Sequence, residues 1–255
     1  MSSIDWKLSS YHFKLPESLI AQHPTPFRDQ SRMLFLDRSK GTVSHRKFSE
    51  IITLLPKNSC LVINNTMVNP VRLPGIRKTG AVIEALLVEE KNVAHWSAVL
   101  RKSGRIKQGE RLEFCGGAIC AVALERKYGG EWLLEFEEPE SLKERLEKFG
   151  LPPLPPYIKR NNASEIQNAE DRERYQTCFA SKPGAIAAPT AGLHFTPEIL
   201  DSISSRGVEI LEVTLHVGLG TFTAIEKEDI RDHNMHAEYF SISSSSLRKL
   251  LSFKR

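Results

Sequence analysis

The stretch from about Arg72 to Glu137 constrains the fold most. Short β-rich runs (AVIEALLV, HWSAVL, RLEF, AICAVALE, EWLLEFE) alternate there with the turn signals KSG, KQGE, CGG and YGG. Strands at that spacing predict a small antiparallel sheet or barrel rather than βαβ units. The run closes on SLKERLEKFG, where Ser141 and Glu144 fit a capping box and Gly150 sits where a helix stops. LPPLPPY (151–157) follows, a stiff extended strut of polyproline type. A β-rich island bounded by a strand on one side and prolines on the other reads as an insert over 66–151. The main domain is then assembled from 1–65 and 152–255.

Outside the insert the pattern is mixed. Phe48, Ile51, Ile52 and Leu55 recur at i, i+3, i+4 and i+7, which predicts an amphipathic helix over 45–55 stopped by Pro56. CLVIN (60–64) reads as a buried strand, and EDRERYQTCF (170–179) is helical in composition. Thr196 is an N-cap with Pro197 at the first helical position, and Gly207 ends that helix. In VEILEVTLHV (208–217), Leu211, Val213, Leu215 and Val217 point one way while Glu212, Thr214 and His216 point the other. The serines at 243–246, with Leu247, Leu250 and Leu251, form the cap and first turns of a last helix. The expected class is α+β: a discontinuous α/β main domain carrying an inserted small antiparallel β-barrel.

With 255 residues the chain can bury a core in one large domain or two modest ones. No apolar run approaches the length of a bilayer span, and MSSIDWKLSSYHF lacks the basic cap and apolar core of a secretory signal. Cys60, Cys115, Cys120 and Cys178 form no CxxC pair, so reduced thiols in a cytoplasmic protein are expected. A net charge of +4 permits an anionic partner without demanding one. There is no Walker loop, Rossmann fingerprint or GxSxG elbow.

Chemistry-bearing residues gather late in the chain. PGAIAAPTAGLHF (183–195) is small, nearly uncharged and broken by two prolines and two glycines, with His194 pinned between Leu193 and Phe195. It suits either a flat or anionic group laid against backbone amides, or a tightly packed interior turn. His194 by itself fits a core histidine as well as a catalytic one. His216 lies on the polar face of its strand with Glu212, directly before Gly218-Leu219-Gly220-Thr221. It is either a ligand contact or an exposed strand histidine. In DHNMHAE (232–238), His233 and His236 would share a face if helical and could hold a metal, but no third strong ligand accompanies them. An acid/base pair polarised by Asp232 or Glu238 fits as well. Arg101, Lys102, Arg105 and Lys107 crowd one loop, and Lys159-Arg160 follow the prolines. They form solvated faces or, with aromatics such as Trp96 and Tyr157, a nucleic-acid surface.

Together these segments resemble the S-adenosylmethionine:tRNA ribosyltransferase-isomerase family. The resemblance runs through LPESLIAQHP, SRMLFLD, INNT, LPPLPPYI, DRERYQT, PGAIAAPTAGLHF, TLHVGLGTF and DHNMHAEY, and it covers essentially every residue. It departs at Met67, where the family usually has an arginine that could contact a phosphate or carboxylate. The family's later GTTS-x-R and TNFHLP segments do not occur here, so the resemblance implies a chain lacking the family's C-terminal portion. The resemblance also implies that the main domain alone is affected, with a sheet edge left unpaired.

What the resemblance implies is transfer of the ribosyl part of S-adenosylmethionine to the 7-aminomethyl-7-deazaguanine wobble base of tRNA. The ribosyl group is isomerised to an epoxycyclopentane, giving epoxyqueuosine, and adenine and methionine leave. No metal or other cofactor is implied; S-adenosylmethionine is a consumed substrate. On this reading His194, His216 and His236 are the acid/base or orienting groups. Gly192, Phe195, Gly218, Gly220, Thr221 and Glu238 shape the adenosyl pocket, and Arg101, Lys102 and Lys159 meet RNA phosphates. The partner is the anticodon arm of tRNA, with no membrane, and a cytoplasmic monomer is expected. Two other functions compete: a non-catalytic remnant that binds tRNA or an adenosyl ligand, and, last, a histidine-dependent metallohydrolase.

Overall fold

A computed structural model describes residues 5–101, 106–127, 130–160 and 164–253. The chain forms two compact units. One comprises 1–67, 155–161 and 176–255; the other comprises 68–154 and 162–175.

The second unit is a closed barrel. Its strands are β5 (Arg72–Arg77), β6 (Val82–Glu90), β7 (His95–Arg101), β8 (Glu110–Phe114), β9 (Ile119–Arg126) and β10 (Glu131–Phe136), in the order β10-β7-β6-β5-β8-β9. Every neighbouring pair is antiparallel. Alternation fills the interior: Ile119, Ala121 and Ala123 of β9 point in, as do Trp132, Leu134 and Phe136 of β10. Leu73, Leu112, Phe114 and Leu134 have no exposed surface. Closure removes the sheet edges that an open sheet of this size would present. At the end of the inward-facing rows of β5 and β8, Arg77 grips Glu110 through two bonds of 2.6 and 2.8 Å.

Helix α2 (Leu142–Phe149) follows and buries Leu142 and Leu146. The predicted capping box does not form: the Ser141 hydroxyl donates to the Glu138 carbonyl, and no side chain caps the helix. The LPPLPPY segment is not a free strut either. Leu151 exchanges two main-chain bonds of 2.9 Å with Arg72, Arg72 Nε donates to the Pro152 carbonyl at 3.1 Å, and Leu151, Pro152, Pro153 and Pro155 are buried. Arg72 therefore clasps the proline run to the barrel. Helix α3 (Glu165–Arg174) starts earlier than the composition suggested, because Ser164 caps it by accepting from the Gln167 amide at 3.2 Å, and it stops at Arg174, so 175–179 are turns and not helix. Arg172 ties α3 to the carbonyls of Lys148 and Gly150.

In the first unit, β1 (Arg32–Asp37) and β2 (Thr42–Lys47) form an antiparallel hairpin. The predicted helix over 45–55 is thus a correction. His45 and Arg46 pair with Leu34 and Met33 across the hairpin, and only a 3₁₀ turn (Phe48–Glu50) and one turn of helix, α1 (Ile51–Leu54), remain. The apolar spacing still does its job, since Phe48, Ile51, Ile52 and Leu55 pack on the cluster of Phe195, Ile199, Ile203 and Val208. Strand β3 (Cys60–Asn64) pairs in parallel with β12 (Glu209–His216), which pairs antiparallel with β13 (Tyr239–Ser241). Helix α4 (Pro197–Ser205) is capped by Thr196, which accepts from the Ile199 amide at 3.3 Å, and it ends before Gly207 at φ +82°. Strand β11 (Lys182–Ala185) pairs with β4 (Thr66–Val68). The last helix, α5 (Ser244–Phe253), starts at Ser243, whose hydroxyl accepts from the Ser246 amide at 3.0 Å. Leu247, Leu251 and Phe253 of α5 and Tyr239 and Phe240 of β13 are exposed.

Candidate active site

The site grows from the triplet Asn64-Asn65-Thr66 at the end of β3. Parallel pairing with β12 stops at Asn64 opposite Val213. The Asn64 side chain continues the ladder: its amide donates to the Leu215 carbonyl at 2.9 Å, and its oxygen accepts from the Leu215 amide at 3.0 Å and the Thr66 amide at 3.1 Å. Asn65 is 5% exposed; it donates to Glu212 Oε2 at 2.9 Å and accepts from Thr214 Oγ1 at 2.8 Å. The polar face of β12 predicted from alternation is therefore bound residue by residue to this triplet.

His216 completes that face. Its Nδ1 lies 2.7 Å from Thr66 Oγ1, and its ring stacks on Tyr239, centroids 5.4 Å apart and planes 20° apart. The ring also lies against Gly184 of β11. A Cβ there would stand 2.7 Å from His216 Cε1 and Nε2, and Gly184 has φ +149°, which side chains rarely adopt. Beyond β12, the Gly218 amide donates to Glu238 Oε1 at 2.8 Å. His236 packs over Gly220, whose absent Cβ would meet His236 Cβ and Cδ2 at 2.9 Å. Thr221 is exposed on the same turn. So the structure gathers His216, Gly218, Gly220, Thr221, His236 and Glu238 around the end of β12 and the approach to β13.

The other predicted residues lie elsewhere. The alanine floor is interior: Ala185, Ile186, Ala187 and Ala188 are buried, and the amides of Ile186 and Ala187 are taken by the Val217 carbonyl at 2.8 and 3.3 Å. Of the two readings of that stretch, the packed turn holds for these four residues. Phe195 is a core residue, edge-on to Phe48 at 4.9 Å. Gly192 is set by packing, since a Cβ would meet Thr177 Cγ2 at 2.9 Å and Phe179 Cζ at 3.0 Å. His194 is half-buried with its ring 5.2 Å from that of Phe48, while Arg28 Nη1 donates to the Leu193 carbonyl at 3.0 Å. Its described contacts do not include His216 or His236. Arg101 pairs with Glu84 at 3.2 Å and Lys159 with Glu17 at 2.8 Å, whereas Lys102 lies outside the described residues. His233 and His236 lie in chain without regular structure after a 3₁₀ turn (Ile230–Asp232), so the helical face needed for the two-histidine metal reading is not there. Among the described residues no group of three or more His, Cys, Asp or Glu is placed to hold a metal ion, and all four cysteines are free. No helix is long and apolar enough to cross a membrane.

Sequence reasoning missed Thr66 and Tyr239 as parts of the site, and read Gly184 only as one of the two glycines that break the 183–195 stretch and could let the backbone approach a ligand. Thr66 lies in a quoted motif and Tyr239 ends another, but nothing local joins Thr66 to a histidine 150 residues away.

Burial holds His216 below the usual histidine range. His194 is also lowered, by burial first, with a hydrogen bond to the Arg28 main chain opposing and the Arg28 charge adding to it. Both rings bind protons less readily folded than unfolded, so the unfolded state takes up more protons as pH falls below about 6.5. Stability should be complete above that value and decline toward the folded pKa values. Denaturant midpoints measured across this window should fall with pH, and His194→Gln should flatten the fall; a pH-independent midpoint would contradict the assignment.

A sequence model of the family described as "Queuosine biosynthesis protein" matches residues 8–255. Relatives named S-adenosylmethionine:tRNA ribosyltransferase-isomerase include one from Staphylococcus haemolyticus, 42% identical over 249 residues, covering 97% of this chain and 71% of the relative. Another, from Citrifermentans bemidjiense, is 47% identical over 239 residues, covering 92% and 67%. The crystal structure of S-adenosylmethionine tRNA ribosyltransferase from Thermotoga maritima aligns over 95% of this chain and 64% of that one, at 29% identity and a TM-score of 0.38. With its matched residues running through both units, the chain belongs to the queuosine biosynthesis protein family.

Proposed function

We infer that the chain works as an S-adenosylmethionine:tRNA ribosyltransferase-isomerase, the activity for which its relatives are named. The substrates would be S-adenosylmethionine and a tRNA wobble base bearing an aminomethyl group, and the products epoxyqueuosine in tRNA, adenine and methionine. A sulfonium acidifies the neighbouring 5′ hydrogens, so one base of moderate pKa suffices to start the departure of adenine, and the leaving nitrogen needs a donor. Imidazoles suit these tasks.

The observation that carries this reading is the clustering of His216, His236 and Glu238 around the Gly218–Thr221 turn. Gly218 and Gly220 let the backbone come close to a flat nucleoside, and Glu238 steadies the turn through the Gly218 amide. His194, packed on Phe48 with Arg28 near its main chain, is given an orienting part and no proton to move. Gly192 and Phe195 support that region from the core. Arg101, Lys102 and Lys159 are assigned to phosphates of the anticodon arm, where RNA would displace the exposed pairings with Glu84 and Glu17; such exposed ion pairs are weak. A tRNA substrate fits a cytoplasmic protein, and the proposed stoichiometry is a monomer.

Incubating the chain with S-adenosylmethionine and an anticodon stem-loop carrying 7-aminomethyl-7-deazaguanine should release free adenine, in step with RNA modification. Salt-sensitive RNA binding with no adenine released would instead support binding without turnover. Neither binding nor release would remove the reading.

A further inference from the structure

Thr66 has 0% exposure, and its Oγ1 lies 2.7 Å from His216 Nδ1. Among the described residues that nitrogen is its hydroxyl's hydrogen-bond partner. A hydroxyl carries one proton and two lone pairs, and a buried donor left unpaired is costly, whereas an unused lone pair is tolerated more readily. The Thr66 proton therefore points at Nδ1, which accepts it. A neutral imidazole that accepts at Nδ1 carries its own proton at Nε2. The ring has little freedom to do otherwise. Turning it over would set Cδ2 in place of Nδ1 opposite the hydroxyl, and Tyr239 and Gly184 confine it on its other sides.

We propose that Thr66 is a positioning residue that fixes His216 as the Nε2–H tautomer, so that His216 meets the substrate as a neutral hydrogen-bond donor and not as the proton-abstracting base. The substrate part rests on the proposed function; the tautomer does not. As the bond between ribose and adenine breaks, its electron pair stays with the adenine nitrogen; a donor held in place stabilises that charge without transferring its proton, and the adenine anion takes a proton from water as it leaves. Removal of the 5′ hydrogen then falls to another group, and His236 over Gly220 is the neighbouring ring of the cluster.

The test is two-bond proton–nitrogen correlation spectroscopy of the full chain with isotope-labelled histidine, above the histidine titration range, with His216 assigned from a His216→Gln sample. Nδ1 of His216 should show the shift of an unprotonated acceptor and Nε2 that of a protonated nitrogen. Thr66→Val should move the ring toward a mixture of tautomers, and Thr66→Ser should restore it. An Nδ1–H ring in the unaltered chain, or a Thr66→Val spectrum like the wild type, would overturn the proposal. If Thr66→Val does not fold, the wild-type and Thr66→Ser spectra decide alone. In the adenine-release assay, Thr66→Val should lower kcat by about ten-fold or more with KM little changed, part of the roughly 10²–10³-fold that one placed hydrogen-bond donor supplies. A chain that releases no adenine but shows the Nε2–H ring would count against the proposed function and leave the tautomer standing.

Discussion

A Gly150→Ala chain should fail to fold its barrel unit. Gly150 has φ −65°, which any residue adopts, so the objection is purely spatial. A Cβ there would be driven into the Pro70 carbonyl oxygen and to within 2.6 Å of the Leu146 carbonyl. Both obstacles are backbone. The Gly150 amide is also committed to the Leu146 carbonyl at 2.8 Å, and the next residue exchanges two bonds with Arg72, so neither side can yield alone. Losing this join releases the proline run and the α3 contact made through the Gly150 carbonyl. A cost above about 4 kcal/mol is expected, at the severe end for a point substitution. Chemical denaturation against the parent chain measures it; a midpoint close to wild type would show that the join relaxes cheaply.

Gly184→Ala should leave a folded chain with a disabled site. The new methyl would collide with the His216 ring, and φ +149° adds backbone strain. The ring is the softer partner, so it should swing away from Thr66. That leaves a fully buried hydroxyl unpaired, at about 1–3 kcal/mol. Turnover should drop by about 10²-fold or more, the lower bound of what one placed hydrogen-bond donor contributes. Adenine release and thermal melting measured side by side separate the two effects. Full activity in Gly184→Ala would remove His216 from the chemistry.

Legibility differed with the range of the interaction that decides each element. Helix α4 was readable from Thr196, Pro197 and Gly207, because caps act within one turn. Strand β12 was readable because one of its faces meets the core and the other a polar partner, and alternation records that. The barrel was readable from short runs and turns, though its closing pair, β10 with β7, was not. The segment 45–55 misled because Phe48, Ile51, Ile52 and Leu55 satisfy helical spacing in barely two turns, while β1 captures the residues before them. The capping box at Ser141 failed because a 3₁₀ turn (Pro139–Ser141) runs straight into α2, which leaves Ser141 at φ −98° and ψ 1° and not in the extended conformation of a cap.

The site followed the same rule. Gly218 and Gly220 on one segment and His236 and Glu238 on another were grouped only through the resemblance, and the bond from the Gly218 amide to Glu238 is what joins them. His194 was grouped with them through its motif, yet its neighbours are Phe48 and Arg28, far away in sequence. The alanines of 185–188 looked like a surface laid bare for a ligand. They are small because they are packed, and the Val217 carbonyl consumes the amides a ligand would have used. Thr66 was invisible as a site residue because its partner lies 150 positions on.

Titrating S-adenosylmethionine into an isotope-labelled chain and following every backbone amide tests the placement of the nucleoside pocket most directly. The largest shifts should fall at Gly184, Val217, Gly218, Gly220 and Thr221, and should vanish in Gly184→Ala. Saturable shifts confined to the barrel strands, or none around the end of β12, would contradict it.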